Sequence, residues 1–361
     1  MIKKTALYDR LNAYKPHMVD FAGWNMPLYF RGIIPEHLNV RKAAGIFDVS
    51  HMGKLLFRLS DEVRRLFTID IGRMTVGKAK YTMMLDSDGV IIDDMIIYRL
   101  SDELFFLVPN AYKVKAINER ILTVAKTETD DLTDRLSILS IQGPRSKEIM
   151  QKIFNELDMR FYEFRILKSP CKNTGIDRII PPDHILISRT GYTGELGYEI
   201  YCEASITTEL FDALMESGKE YGMEPVGLGA RDTLRLEKGY LLSGTDFNMD
   251  VTPVEANLLK YVDLEHDFVG KNSLLAKLNK SHMIITGLVM KKNKVIPRHG
   301  AELFVSNSKV GRVTSGTISP VLEKGIALGY VPSDMNVPGK EIQISIRDKL
   351  EESIIVRLPF V

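Results

Sequence analysis

The sequence predicts an α+β protein of more than one domain that closes with a small β-barrel or sandwich. Three observations carry this reading. The 361 residues exceed what one ordinary hydrophobic core serves. A β-meander pattern over residues 79–109 contrasts with helical periodicity over 206–219. From about residue 283 onward, short strand-like runs alternate with turn residues at regular spacing.

Taken in order, residues 35–44 read as a helix opened by Pro35, whose fixed φ suits a first helical turn. Lys80 to Leu85 reads as a strand, Asp86-Ser87-Asp88-Gly89 as a turn, Val90 to Leu100 as a second strand and Glu103 to Val108 as a third. Residues 168–183 carry Pro, Gly and polar side chains and read as a surface loop. Apolar positions three and four apart over 206–219 give an amphipathic helix, and Gly227-Leu228-Gly229-Ala230-Arg231-Asp232 opens another that runs through Arg235 and Glu237. A polar helical stretch at 271–280 precedes the final strands, which are punctuated by Arg298-His299-Gly300, Ser306-Asn307-Ser308 and Pro338-Gly339. The expected division is 1–278 and 279–361.

Composition excludes several functions. Basic and acidic residues nearly cancel, 48 against 47, without the positive excess of a nucleic-acid binder. Cys171 and Cys202 are the only cysteines and lie in no metal-binding or redox spacing, which favours a reducing compartment and no metal. No apolar run reaches the roughly 18 residues that span a bilayer. Lys3 and Lys4 are followed by no apolar stretch of the signal-peptide kind, so the expected location is the cytoplasm.

The residues with most chemistry sit in one strand, where Asp93 and Asp94 interrupt Ile91-Ile92 and Met95-Ile96-Ile97-Tyr98. Neighbouring strand side chains point to opposite faces, so the two carboxylates cannot share a proton. Asp94 falls with Ile92, Ile96 and Tyr98; Asp93 falls with Ile91, Met95 and Ile97. The first face offers a carboxylate, an aliphatic surface and a phenol to a flat heteroaromatic ligand with ring N–H donors. On spacing alone, one aspartate capping the turn and the other solvated at a sheet edge is the favoured account.

Several blocks then resemble the glycine cleavage T-protein family. They are Asp20-Phe21-Ala22-Gly23-Trp24-Asn25-Met26-Pro27, Phe47-Asp48-Val49-Ser50-His51-Met52-Gly53, the Gly89 to Tyr98 strand, Ser188 to Glu199, Gly227 to Asp232, Gly311 to Pro320 and Ile326 to Val331. They occur in family order from about residue 5 to 360. The resemblance implies a three-lobed fold, with two interleaved α/β subdomains and a C-terminal small β-barrel. It implies aminomethyl transfer from the lipoyl arm of an H-protein to tetrahydrofolate, which is the co-substrate. It also implies that Asp94 is the catalytic aspartate and that Met52, Tyr81, Ile96, Tyr98, Asn110, Tyr192, Glu199, Arg231 and Tyr240 contact the folate.

Plainer roles stand beside these. Glu199 and Arg231 also suit a simple ion pair, and the three tyrosines Tyr81, Tyr192 and Tyr240 suit core positions. Arg189, Glu195, His51 and Trp24 read as structural. Ser243, Asn257 and Lys260 depart from the family pattern, which has a tyrosine, a glycine and an aromatic there, so the donor pocket is expected to differ. The chain ends at Pro359-Phe360-Val361, without the basic arm that holds the folate tail in relatives, so that contact is expected to be missing. The run Lys291-Lys292-Asn293-Lys294 to His299 reads as a basic docking edge for an acidic H-protein. Two rival functions fit the same blocks: a folate-dependent demethylase, and a non-enzymatic iron–sulfur assembly factor. The second normally carries a cysteine after Lys-Gly, where this chain has Lys238-Gly239-Tyr240.

Overall fold

A six-stranded sheet organises the first part of the protein, in the order Phe164–Lys168, His184–Ser188, Gly197–Glu203, Leu136–Gln142, Ala44–Asp48, Met223–Pro225. The computed structural model describes residues 2–154, 157–176, 179–248, 250–278, 280, 282–347 and 349–361. Five of the six strands pair antiparallel and only Met223–Pro225 runs parallel to its neighbour. Alternation gives the sheet two different faces. Ile46, Leu139, Ile141, Ile185, Ile187, Tyr198 and Ile200 enter one apolar core with Leu210, Phe211 and Leu214 of the helix Thr207–Gly218. Ser140, Gln142, Ser188 and Glu199 alternate with those residues and fall on the opposite face.

The chain divides into two compact units. One comprises Met1–Arg64, Asp70–Tyr81 and Met95–Arg231, the other Arg65–Ile69, Thr82–Asp94 and Asp232–Val361. The expected meander is present as Ala79–Leu85, Ile91–Arg99 and Leu104–Pro109, joined in one sheet by Leu55–Arg58 and Thr129–Asp131. Its first turn is closed by Asp86, whose Oδ1 accepts from the backbone N–H of Asp88 and Val90, both at 2.9 Å. Gly89 takes φ +79° there, and a Cβ on it would lie 3.0 Å from the Leu274 nitrogen.

Helices read from periodicity are found at Ile33–Lys42, Thr207–Gly218, Leu228–Glu237 and Lys271–Lys277. The first begins at Ile33, so Pro35 lies inside its first turn and does not open it. Part of the 168–183 loop, residues 177 and 178, and position 279 beside the expected boundary lie outside the described residues. A hairpin of His17–Phe21 with Trp24–Tyr29 had no strand signal in the sequence. Its two turn residues, Ala22 and Gly23, both take positive φ, +54° and +80°. That geometry usually advertises itself as Asn-Gly, and alanine hides it.

The last unit ends in a closed barrel of Met283–Asn293, Lys324–Pro332, Ser308–Ser319, Glu302–Val305, Glu341–Ile346 and Lys349–Val356. Leu288, Met290, Leu303, Val313, Ala327, Val331, Ile342, Ile344 and Ile355 fill it. The basic run is not the open edge that the sequence suggests. Lys291 pairs with Glu341 at 2.6 Å and Glu352 at 3.3 Å, and Lys292 pairs with Glu351 at 2.8 Å. Adjacent barrel strands supply these acids, and the local charge largely cancels.

A buried polar hub ties the same unit together. Asp246 accepts from Arg235 Nη1 at 2.6 Å, the Leu242 amide at 2.8 Å and Thr314 Oγ1 at 2.6 Å. Arg235, only 2% exposed, also donates to the Tyr240 carbonyl and to Ser315. Removing one partner of such a pair leaves a buried charge uncompensated. Asp246→Ala should therefore cost roughly 3–5 kcal/mol, read as a lower urea midpoint. An unchanged midpoint would show that Arg235 is held by its other contacts alone.

Candidate functional site

The polar face of the six-stranded sheet carries the strongest constellation. Glu199 lies opposite Ser188 on one neighbouring strand and Ser140 on the other. The Thr190 hydroxyl donates to Glu199 Oε2 at 2.5 Å and lies 3.0 Å from Ser188 Oγ. Gln142 Nε2 donates to Ser140 Oγ and to the Thr190 carbonyl, and the Thr193 hydroxyl donates to Gln142 Oε1. Burial pushes the Glu199 carboxyl above its usual range, against the opposing pull of the Thr190 bond and the Arg231 charge.

Arg231 stands over the Tyr192 ring, with its guanidinium carbon 4.8 Å from the ring centroid. Its charge is felt by Glu199, yet among the described residues no side chain or carbonyl accepts a hydrogen bond from its fork. The ion-pair account of Glu199 and Arg231 is therefore replaced by proximity without a bond. Arg235, one turn along the same helix, is the contrast: its Nε, Nη1 and Nη2 are all bonded. One arginine is saturated and structural. The other keeps its donors.

What fixes Arg231 is the backbone beneath it. Glu36, fully buried, accepts on Oε1 from the amides of Phe30, Arg31 and Gly32 at 2.6, 2.8 and 3.0 Å. Its Oε2 accepts from the Gly227 amide at 2.9 Å, and the Gly227 carbonyl in turn accepts from the Arg231 amide. A Cβ on Gly227 would fall 2.3 Å from the Leu28 oxygen, so only glycine permits this approach.

A second group forms nearby in the same unit. The Gly53 amide donates to the Pro109 carbonyl at 3.0 Å, and Met95 pairs with Pro109. Half-buried Met52, Ile96 and Asn110 are thus brought to one region. Tyr98 differs from the expectation that it offers a phenol to a ligand. It is fully buried, its hydroxyl lies 2.8 Å from that of Tyr201, and its ring packs edge-on against Phe164 and Tyr201. It backs the Glu199 face from beneath.

Asp94 and Asp93 separate as strand alternation requires. Asp94 is half-buried, whereas Asp93 is fully buried and accepts from the Ser243 hydroxyl at 2.7 Å. That burial excludes a solvated role for Asp93. Ser243 thus has a definite structural job where the family pattern has tyrosine. Asn257 takes φ +56°, a conformation asparagine tolerates better than most residues, which explains its standing at a glycine position. Lys260 is exposed beside the Tyr261 ring, and Tyr240 is 37% exposed. Tyr81 is half-buried.

Of the residues read as structural, Glu195 pairs with Arg41 at 2.9 Å and Arg189 donates to the Gly197 carbonyl. Trp24 packs at 7% exposure. His51 is different. It is 2% exposed, it meets Phe21 edge-on, and its Nδ1 has no hydrogen-bond partner. Sequence gave no signal for that. Among the described residues no group of three His, Cys, Asp or Glu side chains suits a metal ion.

Comparison with known proteins agrees with this geometry. The family model described as the GCVT N-terminal domain matches residues 7–266, and the glycine cleavage T-protein C-terminal barrel domain matches 285–361. The chain belongs to the glycine cleavage T-protein family. An aminomethyltransferase of Caldanaerobacter subterraneus is 39% identical, the match covering 98% of this chain and 95% of the relative. The Bacillus subtilis aminomethyltransferase is 36% identical over 100% and 99%. The crystal structure of glycine cleavage system aminomethyltransferase T from Bartonella henselae superposes with a TM-score of 0.90 at 30% identity, covering 100% and 98%. As a member of the T-protein family the chain is an aminomethyltransferase, and full-length likeness to relatives of that name favours this activity over the demethylase and assembly-factor readings.

Glu36→Gln tests the support beneath Arg231. An amide nitrogen cannot accept from the Gly227 amide, so a buried N–H is left unpaired at a cost of about 1–3 kcal/mol. The expected readout is a lower melting temperature together with faster hydrogen exchange at the Gly227 and Arg231 amides. Unchanged exchange there would mean the helix start is held without Glu36.

Proposed function

We propose that the protein passes the methylene of a lipoyl-bound aminomethyl group, delivered by an H-protein, to tetrahydrofolate. Ammonia, dihydrolipoyl H-protein and 5,10-methylenetetrahydrofolate are the products. The observation that carries the folate half is the unspent fork of Arg231 over Tyr192, beside the Glu199 carboxylate. Arg231 would donate to carbonyl or carboxylate oxygens of the folate. Glu199 would accept from the amino-pyrimidinone edge of the pterin, and Tyr192 supplies a flat surface. Met52, Tyr81, Ile96, Asn110 and Tyr240 complete the contacts, with Tyr98 supporting from behind. Asp94 is the proposed catalytic residue: its carboxylate accepts a hydrogen bond at the reacting folate nitrogen and orients it toward the aminomethyl carbon.

In this reading residues 1–278 form the catalytic region and 279–361 the barrel domain. No helix among the described residues is long and apolar enough to cross a membrane. We place the enzyme in the cytoplasm, where its two free, buried thiols, Cys171 and Cys202, stay reduced.

Asp94→Asn should lower turnover at least about 100-fold while tetrahydrofolate binding changes little, as for a group that acts in the reaction. Asp93→Asn should instead lower the melting temperature, because it disturbs the buried bond from Ser243, and its activity at permissive temperature should stay within a few-fold. Equal turnover losses in two equally stable variants would refute the assignment of faces.

The raised Glu199 carboxyl gives a pH test. Only the ionised form accepts from ligand N–H groups on both oxygens. As pH falls through the raised value the carboxyl takes a proton and loses that capacity. Tetrahydrofolate affinity should therefore weaken on acidification, beginning above the ordinary carboxylate value of about 4.3. Glu199→Gln should bind weakly throughout and without that dependence. A parent and variant with the same pH profile would remove Glu199 from the contact.

A further inference from the structure

His51 sits in the turn that follows the strand Ala44–Asp48, and hydrogen bonds anchor that turn on both sides of it. The Val49 amide donates to the Ile138 carbonyl, and the Ile138 amide donates to Ser50 Oγ at 3.0 Å. Lys54 Nζ donates to the Ser50 carbonyl at 2.6 Å, and the Gly53 amide reaches Pro109. The residues on either side of the ring are thus anchored, and the ring meets Phe21 at nearly a right angle. Its own Nδ1 is buried with no protein partner. Buried polar nitrogens are nearly always bonded, so an orphan in so well-ordered a turn calls for a cause.

The surroundings supply one. His51 precedes Met52, which lies with Ile96 and Asn110, and it is close enough to Arg231 to feel that charge. Ile138, which the turn grips, pairs with Tyr201, two residues from Glu199 on the same strand. His51 therefore adjoins both groups of site residues. Burial, with Arg231 and Lys54 adding to it, drives its pKa down to about 3, so the ring is neutral near pH 7 and can donate from one nitrogen and accept at the other.

We propose that His51 is a ligand-binding residue of this site, presenting a ring nitrogen to the polar edge of the bound tetrahydropterin. This rests on the folate reading above. Three proteins should be titrated calorimetrically with tetrahydrofolate: the parent, His51→Leu and His51→Asn. His51→Leu should bind roughly 5- to 10-fold more weakly, the equivalent of one lost hydrogen bond. Its melting temperature without ligand should be unchanged or higher, because an unsatisfied polar atom has been removed. His51→Asn should recover part of the affinity. Should His51→Leu fail to fold, ¹⁵N spectra of the parent give the same answer. The His51 ring-nitrogen signal, assigned by its absence in His51→Asn, should shift on saturation with tetrahydrofolate.

A parent that binds tetrahydrofolate and a His51→Leu variant that binds equally well would overturn this inference and leave the folate reading standing. So would an unmoved ring signal at saturation. A parent that binds no tetrahydrofolate would overturn both.

Discussion

Four backbone amides converge on the carboxylate of Glu36, and the placement of Arg231 depends on that convergence. A fully buried carboxylate is costly unless its oxygens are bonded, and here both are occupied. The partners are all main-chain groups, drawn from residues 30–32 and from Gly227. Segments far apart in sequence are thereby cinched without using any side-chain donor. Gly227 and Gly229 leave no room for a Cβ, so the start of the helix Leu228–Glu237 lies directly on residues 28–33. A side chain whose head group finds no hydrogen-bond acceptor among the described residues needs a rigid base, and the Glu36 clamp provides one. Stacking on Tyr192 then restricts the remaining torsions.

The same economy separates the two faces of the six-stranded sheet. One face is packed apolar residues and needs no hydrogen bonds. The other is a network in which Gln142 is bonded to Ser140, Thr190 and Thr193, and Thr190 in turn to Glu199. Such networks rigidify a surface when they are complete. The Arg231 fork and the His51 ring lie outside that network, whereas Arg235 and Asp246 are bonded to each other and to their neighbours.

Much of this was legible in the sequence. Meander, barrel and helices announced themselves through periodicity and turn residues, and alternation alone put Asp93 and Asp94 on different faces. The hairpin at 17–29 was not legible, because Ala22 occupies a left-handed position that carries no composition signal. Glu36 was invisible for another reason: its partners are backbone amides, and any residue supplies one. Tyr98 misled because strand parity gives a side, not a depth, and three aromatic rings, Phe106, Phe164 and Tyr201, pack against it. The ion pairs of Lys291 and Lys292 were not legible, because their acids come from strands fifty residues or so away, paired only in the folded barrel. Family resemblance supplied Glu199 and Arg231, but neither spacing nor resemblance foretold that they would stand close and unbonded.

The electrostatics of this region restrict what it can accept. Arg231 and Lys54 bring positive charge into a buried place, and burial drives Lys54 down to about 7, against the opposing pull of Asp48, Asp131 and Asp134. His51 cannot take up a further proton there near neutral pH. A cationic ligand would meet the same penalty that these groups already bear. A ligand with acceptor oxygens toward Arg231 would relieve it, since the guanidinium would gain the bonds it lacks at no further cost in ordering. Glu199 asks the opposite, donors rather than acceptors, since burial raises its carboxyl despite the bond from Thr190. Tyr192, whose ring lies under the Arg231 guanidinium, adds a flat aromatic group to the same region. A planar heterocycle with N–H donors on one edge and acceptor oxygens elsewhere meets all three conditions, and an aliphatic or uniformly charged ligand fails at least one.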